Sequence, residues 1–330
     1  PNAYLLTGIR GVGKTTTARL IAKALNCIKN KDVNIKCSSE NFCESCKEIV
    51  NSNHIDILEM DAASRTGIDD IRELIENSKY SPTSAEFKIF IIDEVHMLSK
   101  QAFNGLLKTL EEPPARLKFI LATTEVRKIP VTILSRCQRF DLKRVGLEKL
   151  FAHLQNIAEK EKGKISDKAL RLICRASEGS VRDAVSLLDR ALISKSAIEN
   201  KEISETDVRT MLGLADRTKL IALFKEILQG NLKMATSHLR DLIESGLDAK
   251  NFLNDILEIL HLFNRRISLG PIEKDSIISE HELELIENYS ENISIQDLGI
   301  FWQLTIKTIE DLKIVANENL ALEMYLMQLA

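Results

Sequence analysis

The first 145 residues alternate short apolar runs with longer segments whose apolar residues recur every three or four positions. Short runs rich in Ile, Leu and Phe are typical of strands, whereas the longer spacing is typical of amphipathic helices. The predicted strands are 3–7, 55–61, 88–93, 118–123 and 139–142. The predicted helices between them are 15–26, 46–52, 69–78, 99–111 and 131–135. This alternation predicts a three-layer α/β domain with a parallel five-stranded sheet.

Strand patterns end near residue 145, and the remainder is predicted to be helical. Four helices, at 147–162, 166–177, 181–194 and 205–212, are expected to form a small domain. Longer amphipathic helices follow at 219–228, 233–245, 250–267 and 295–315. Leu220, Leu223, Phe224 and Ile227 lie three or four residues apart, which predicts one buried face. This last region is either a bundle of its own or a surface for assembly.

Composition is that of an ordinary globular protein, with 44% hydrophobic residues, 28% charged residues and a net charge of −3. No run of 18 apolar residues occurs, so we expect no membrane contact and a cytoplasmic location. No region is strongly basic, so any contact with nucleic acid is expected to depend on local Lys and Arg residues.

The strongest chemical signal is the run Gly8–Thr15, which lies between the first predicted strand and the first predicted helix. Its glycine spacing, followed by Lys-Thr, matches the phosphate-binding loop. Backbone N–H groups of such a loop, and the positive end of the helix, bind phosphate oxygens. Lys14 is expected to reach the β- and γ-phosphates, and the Thr15 hydroxyl to bind Mg²⁺. The predicted nucleotide-binding residues here are Gly8, Gly11, Val12, Gly13, Lys14, Thr15 and Thr16.

Polar residues also follow two of the other predicted strands. Asp93 is expected to bind Mg²⁺ opposite Thr15, and Glu94 to polarise the attacking water as a general base. Thr124 is expected to orient this water or to sense the γ-phosphate, because ligands bind at the carboxyl ends of parallel strands. The alternative is that Thr124 only caps its strand.

Four of the six cysteines cluster in one segment: Cys27, Cys37, Cys43 and Cys46. Four thiolates are the number that a closed structural Zn²⁺ site needs, and free reduced thiols are the alternative. Cys137 and Cys174 stand apart and are interpreted as core or strand-end residues. His54 and His96 lack ligand-like neighbours and are interpreted as hydrogen-bonded helix or loop residues.

The segment Thr123–Cys137 contains Pro-Val-Thr-Ile-Leu followed by Ser-Arg-Cys. Together with Gly11–Thr16, Asp93–Leu98 and Leu106–Pro114, it resembles the clamp-loader AAA+ ATPases, most closely the branch that serves bacterial DNA polymerase III. The resemblance runs over nearly the whole chain and is densest over 3–190. It implies an AAA+ P-loop domain at 1–145 with a zinc-binding insertion at 27–46, a small helical lid domain at 146–213 and an all-helical oligomerisation (collar) domain at 214–330.

The resemblance also implies roles for two arginines. Arg136 would act in trans as an arginine finger on ATP held by a neighbouring subunit, where a planar, bidentate cation suits the developing charge. Arg182 would touch the γ-phosphate from the lid and so report the nucleotide state. Surface ion pairing is the alternative for both residues.

By the same resemblance, the chain is expected to be an ATPase that loads a sliding clamp on primed DNA during replication. The implied cofactors are ATP, Mg²⁺ and Zn²⁺. The implied partners are other subunits of a hetero-oligomeric pentameric ring, the sliding clamp and primer–template DNA. Candidate DNA contacts, which follow phosphates and not bases, are Ala63–Gly67, Ile71–Arg72 and Lys100–Gln101.

Two other functions are considered. Another AAA+ engine, such as a branch-migration helicase, would need neither the cysteine insertion nor the Ser-Arg-Cys motif. A clamp-loader scaffold that does not hydrolyse ATP would not need an intact Lys14 or Glu94. The chain departs from the family in the spacing between Cys37 and Cys43, which is five residues where two are usual. The family also has a segment before the first strand that helps to close the adenine pocket, so we expect Pro1 to be a fragment boundary, and we expect no polymerase-binding extension after Ala330.

Overall fold

The computed structural model describes residues 1–31, 37, 41–64, 67–196, 202–214, 217–244, 246–271, 280–291 and 293–329. Contacts divide the chain into two compact units, one formed by Pro1–Gly163 with Ile173–Leu192 and the other by Lys164–Leu172 with Ile193–Ala330. This division does not follow the three predicted segments, and the three-domain organisation stays a prediction.

The described part of the first unit contains a parallel sheet of five strands in the order β2-β3-β4-β1-β5. The strands are β1 (Ala3–Thr7), β2 (Ile57–Asp61), β3 (Lys88–Asp93), β4 (Leu117–Thr123) and β5 (Gln138–Asp141). The predicted five-stranded parallel sheet is therefore confirmed. β2 begins two residues later than predicted, because Ile55 lies in a turn and is 66% exposed.

Helices cover both faces of the sheet: α1 (Lys14–Asn26), α2 (Glu44–Val50), α3 (Ile68–Ser78), α4 (Lys100–Glu111) and α5 (Val131–Leu134). The helices that follow the sheet are α6 (Leu147–Lys160), α7 (Asp167–Ala176) and α8 (Val181–Ser196). Side chains of a strand alternate between the faces of a sheet. Phe90 accordingly packs with the apolar cluster of α3 and α4, whereas Ile91 packs with Ala18 and Ala22 of α1.

The register brings the carboxyl ends of the strands to one edge. Thr7 of β1 lies opposite Thr123 of β4, and Asp61 of β2 lies opposite Asp93 of β3. The polar residues predicted to bind nucleotide follow β1, β3 and β4 at this edge, so the parallel pairing gathers segments that are far apart in sequence.

The described residues of the second unit form helices, apart from turns and an isolated parallel bridge between Ile165 and Ile203. Its later helices are α9 (Glu205–Leu212), α10 (Arg217–Leu228), α11 (Leu232–Glu244), α12 (Ala249–Leu269), α13 (Glu280–Ser290), α14 (Ile295–Asp311) and α15 (Glu318–Leu329). The predicted apolar face of α10 is confirmed, since Leu220, Leu223, Phe224 and Ile227 are all buried in the core of this unit. None of the described helices has both the length and the apolar character needed to cross a lipid bilayer.

Candidate active site

A cavity of about 1010 Å³ lies at the carboxyl edge of the sheet. Its wall is formed by the loop after β1, the start of α1, the segments that end β2, β3 and β4, and the start of α8. Crevices at this edge are where open α/β sheets bind their ligands. The predicted site residues that line the cavity are Gly11, Gly13, Lys14, Thr15, Thr16, Asp93, Glu94, Thr124 and Arg182.

The loop after β1 presents the start of α1 to the cavity. Gly13 precedes the helix with a φ of 97°, in the left-handed region that favours glycine, and no side chain caps the helix there. The first N–H groups of α1 therefore have no intrahelical partner and are available to an anion. Gly8 and Val12 belong to the same loop but do not form part of the cavity wall.

Lys14 is folded back over its own loop. Its side chain is 5% exposed, and Nζ donates hydrogen bonds to the carbonyl oxygens of Gly8 (3.1 Å) and Ile9 (3.0 Å). Nζ also lies 4.0 Å from Oε1 of Glu94. Burial lowers the pKa of Lys14, although the nearby carboxylates of Glu94 and Asp93 oppose this shift.

The start of α8 lies directly against the phosphate-binding loop. The backbone N–H of Arg182 donates to the carbonyl oxygen of Gly11 (3.2 Å), and the N–H of Asp183 donates to Oγ of Ser180, which caps the helix. Gly11 has a φ of 75°, and a Cβ added to it would lie 2.1 Å from Oγ of Ser180. Only glycine fits this contact, and the contact brings the Arg182 side chain to the cavity.

We expect Gly11→Ala to weaken nucleotide binding by at least about tenfold, because alanine is strained at this φ and α8 must move away from the loop. Titration with a fluorescent ATP analogue measures the effect. Gly146→Ala is the matched control, because Gly146 has a φ of −63° and open space around its Cα. Equal affinities for the two variants would show that the contact between the loop and α8 does not matter for binding.

Thr15 and Asp93 meet at the cavity floor. Oγ1 of Thr15 donates to Oδ2 of Asp93 over 2.5 Å, and Oδ1 of Asp93 accepts the backbone N–H of Glu94 (2.9 Å). A hydroxyl beside a carboxylate, next to a helix N-terminus, is the oxygen ligand set that Mg²⁺ uses at nucleotide phosphates. The structure therefore brings the predicted magnesium pair together.

Glu94 follows β3 in a left-handed backbone conformation, with a φ of 45°. Its Oε2 accepts hydrogen bonds from the backbone N–H of Thr124 (3.1 Å) and from the Thr124 hydroxyl (3.0 Å). The predicted general base and the predicted water-orienting residue are thus in direct contact. Thr124 also lines the cavity, which is more than strand capping requires.

Asp61 and His96 are among the residues of the cavity wall that the sequence does not predict to lie there. Asp61 is the last residue of β2 and lies opposite Asp93 in the parallel register. Its place at the end of a strand next to β3 could have indicated that it lines the cavity. His96 was interpreted as a hydrogen-bonded residue, which is confirmed: Nδ1 lies 3.0 Å from Oγ1 of Thr123. His54 is also hydrogen-bonded as expected, with the N–H of Asp56 donating to its Nδ1 (3.1 Å).

Arg136 lies outside the cavity wall. It forms an ion pair with Glu111 (2.5 Å) and donates to the carbonyl oxygen of Thr132 (2.7 Å), with 34% of its side chain exposed. The ion pair with Glu111 is the arrangement that the surface-pairing alternative predicts, and action on a neighbouring chain stays a prediction. Burial raises the pKa of the adjacent Cys137 thiol to about 11, as expected for a core cysteine.

The structure brings the four clustered cysteines together. The Sγ atoms of Cys27, Cys37, Cys43 and Cys46 all lie within 4.8 Å of one another, and all but Cys37 are buried. The backbone N–H of Cys43 donates to Sγ of Cys37 (3.3 Å). The parts of the predicted 27–46 insertion at 32–36 and 38–40 lie outside the described residues. The longer spacing between the second and third cysteines thus does not prevent the cluster.

The thiols of this cluster differ in acidity. Burial disfavours ionisation of Cys43, but hydrogen bonds from Cys46, Ile28 and Cys37 outweigh it and lower its pKa to about 7. Burial and the neighbouring thiols raise the pKa of Cys46 far above its usual range. The site therefore favours the thiolate of Cys43 and disfavours that of Cys46, whose ionisation a bound cation would promote.

The predicted DNA contacts are partly described. Arg72 forms an exposed ion pair with Asp69 (2.9 Å), and Lys100 is exposed in the first turn of α4. Arg65 and Thr66 lie outside the described residues. Contact with DNA stays a prediction for each of these residues.

Comparison with known families gives matches over most of the chain. The models that match are the DNA polymerase III delta subunit (residues 1–146), the clamp-loader subunit ATPase lid domain (149–196) and domain III of DNA polymerase III subunits gamma and tau (203–330). The DNA polymerase III subunit gamma of Buchnera aphidicola subsp. Schizaphis graminum is 39% identical over 328 residues, which cover 99% of this chain and 88% of that protein. The chain belongs to the DNA polymerase III gamma/tau family.

Other gamma/tau proteins are longer than this chain. The DNA polymerase III subunit tau of Escherichia coli strain K12 is 37% identical over 327 residues, which cover 99% of the chain but 49% of that protein. The subunit gamma/tau of Mycoplasma genitalium is 44% identical over 259 residues, which cover 78% of the chain and 42% of that protein. The chain thus spans about half the length of the tau relatives it matches.

Solved structures resemble the chain only at low identity. The Bacillus subtilis DNA clamp loader delta protein (YqeN) is 13% identical with a TM-score of 0.39, over 100% of this chain and 95% of that one. The Thermotoga maritima RuvB branch migration motor is 18% identical with a TM-score of 0.46, over 75% of each chain. Membership of the gamma/tau family and the parallel sheet with its phosphate-binding loop identify the fold as an AAA+ domain, followed by a lid segment and a helical carboxyl-terminal region.

Proposed function

We propose that this chain is the ATPase subunit of a replicative clamp loader and couples ATP binding and hydrolysis to the loading of a sliding clamp on primed DNA. The observation that carries the proposal is the convergence of Lys14, Thr15, Asp93, Glu94 and Arg182 on one cavity. Membership of the gamma/tau family favours this function over that of a branch-migration helicase. The complete set of catalytic side chains argues against a scaffold that does not hydrolyse ATP.

The phosphates of ATP are expected to bind in the cavity, against the loop and the start of α1, with Arg182 of α8 on the cavity wall. Lys14 would exchange the carbonyl oxygens of its loop for β- and γ-phosphate oxygens, beside the N-terminus of α1. Thr15 and Asp93 would bind Mg²⁺, which supplies positive charge against the phosphate oxygens. Arg182 would contact the γ-phosphate, so the position of α8 would depend on whether that phosphate is present.

Hydrolysis needs a positioned water and a base. The water oxygen attacks the γ-phosphorus, the bond from phosphorus to the ADP oxygen breaks, and Glu94 accepts the proton that the water loses. Thr124 donates to one oxygen of Glu94 and leaves Oε1, which lies 4.0 Å from Nζ of Lys14, for this task. Charge that develops on the γ-phosphoryl group would be stabilised by Arg136 from a neighbouring subunit.

The loading function depends on partners. We propose assembly with other clamp-loader subunits in a pentameric ring, together with the sliding clamp and primer–template DNA. ATP binding in the ring would hold the clamp open, and hydrolysis on DNA would release it. The apolar helices of the second unit supply side chains for assembly, since Ile306, Leu320, Met324 and Met327 are among its exposed apolar residues.

We also propose that the four cysteines bind a structural Zn²⁺ ion. The donor set fits the ion, because four sulfur atoms within 4.8 Å of one another and largely shielded from water match a closed tetrahedral site. Zinc would supply the positive charge that allows all four thiols to ionise. It would also fix Cys27, the residue directly after α1, and thereby the end of the helix that begins at Lys14.

The test is the rate of ATP hydrolysis by the chain alone and with partner subunits, clamp and primed DNA. We expect slow hydrolysis alone and a rise of at least about a hundredfold with all three additions, because an arginine finger acts only in the assembled ring. Arg136→Ala should abolish the rise without changing nucleotide affinity. Arg127→Ala, an exposed arginine of the same segment, is the control. A rate that is indifferent to all three additions would rule out the loader function.

A further inference from the structure

His96 occupies an unusual position beside the proposed general base. The residues after β3 form a short 3-10 helix, Val95–Met97, whose first residue is fully buried. Together with the left-handed backbone of Glu94, this turn directs the His96 side chain back toward β4, where it is 6% exposed. A nearly buried imidazole that still borders the cavity has little freedom to take another orientation.

The imidazole lies between two carboxylates. Nδ1 is 3.0 Å from Oγ1 of Thr123 and 3.4 Å from Oε2 of Glu94, while Nε2 is 3.4 Å from Oε1 of Glu125. Glu125 is also held by Lys128 (2.8 Å), and its backbone N–H donates to Oγ1 of Thr123 (3.0 Å). The pKa of Glu125 is lowered, first by its hydrogen bond with Lys128 and also by the charge of Lys128.

These contacts make the two oxygens of Glu94 different. Oε2 faces Thr124, which gives it two hydrogen bonds, and the Nδ1 of His96. Oε1 faces the other way and has Lys14 at 4.0 Å. When Oε2 is held, Oε1 keeps a fixed direction. A base needs this fixed direction to take a proton from a positioned water.

We propose that His96 is a positioning residue for Glu94, an inference that rests on the proposed ATPase function. It holds Oε2 against the end of β4 and, through Glu125, is itself held by the loop that follows β4. Without the imidazole, Oε2 keeps its hydrogen bonds from Thr124 but loses its contact with Nδ1, and water in the space that the ring leaves competes for this oxygen. His96 does not touch the phosphates in this account and acts only through Glu94.

Steady-state hydrolysis with partners, clamp and primed DNA separates this role from a purely structural one. His96→Leu should lower kcat about tenfold and leave the nucleotide Kd and the Tm close to wild type, because orientation alone is lost. His96→Asn should recover part of the rate, since its amide N–H can lie near the Nδ1 position. His153→Leu, on the exposed face of α6, is the matched control and should leave the rate unchanged.

A double-mutant cycle tests whether His96 acts through Glu94. In a Glu94→Gln background, His96→Leu should have almost no further effect on the rate. An equal loss in both backgrounds, or a parallel loss of Kd and Tm, would overturn the proposal.

The amide NMR signal of Thr124 gives a second readout that does not require hydrolysis, because this N–H donates to Oε2 of Glu94. The signal should shift in His96→Leu and stay in place in His153→Leu, and an unmoved signal would overturn the proposal. A wild-type protein without ATPase activity would contradict the proposed function instead.

Discussion

Glu94→Gln is expected to lower the rate of ATP hydrolysis by about a thousandfold while nucleotide affinity stays within about twofold of wild type. Glutamine has the shape of glutamate, and its carbonyl oxygen can still accept the N–H and hydroxyl of Thr124. It cannot accept a proton from water, so binding and hydrolysis should separate in this variant.

Phosphate release in the presence of partner subunits, clamp and primed DNA measures the rate, and titration with a fluorescent ATP analogue measures the affinity. Glu112→Gln is the control, because Glu112 is exposed at the end of α4 and lies outside the cavity wall. A Glu94→Gln variant that keeps more than a tenth of the wild-type rate would mean that another group activates the water.

Cys43→Ser is expected to remove bound zinc and to lower the free energy of unfolding by at least about 3 kcal/mol, since a structural metal contributes its binding energy to folding. Serine has nearly the shape of cysteine, but its hydroxyl does not ionise near neutral pH and is a poor ligand. Elemental analysis measures the zinc content, and denaturant unfolding measures the stability. In Cys137→Ser, which lies outside the cluster, we expect the zinc content of the wild type. Full zinc content in Cys43→Ser would show that the ligand set is wrong.

The same site should release its metal in acid. Without metal, the pKa of Cys43 is lowered to about 7 from its ordinary value of 9.0, so the thiolate that zinc needs is readily available above about pH 7 and must compete with protons below it. As the pH falls, protons compete more strongly with zinc for the thiolates. Zinc occupancy and the part of the free energy of unfolding that depends on zinc therefore both decrease.

Much of the sheet and of the site could be predicted from the sequence, because both depend on strong local patterns. The strand 88–93 is a run of apolar residues that ends in acids, and the loop Gly8–Thr15 has a spacing that few other structures require. The predicted ends of most helices lie within a few residues of those observed. Regular alternation of strands and helices predicts a parallel sheet. In such a sheet the carboxyl ends of all strands lie at one edge, so the polar residues that follow them come together.

Other features depend on contacts between distant residues and carried no local signal. The contact between Gly11 and Ser180 joins segments that nothing in their own sequences relates. His96 could not be assigned to the cavity because the left-handed turn at Glu94, which directs it there, is rare for a residue other than glycine. Helix α15 lies in the region predicted to be helical, but no bounds were predicted for it. Its apolar residues lie on all sides, with Leu322 and Tyr325 buried but Met324 and Met327 exposed, so no period marks it.

The hydrogen bonds of Lys14 have a consequence for how nucleotide enters. The ammonium group of Lys14 bridges the carbonyl oxygens of Gly8 and Ile9, and these two hydrogen bonds support the curvature of the loop. The two carbonyl oxygens accept from the ammonium group at positions that phosphate oxygens would take on nucleotide binding. On nucleotide binding, Lys14 would exchange these carbonyl oxygens for phosphate oxygens. Because the loop is already ordered, we expect binding to cost little conformational entropy of the chain.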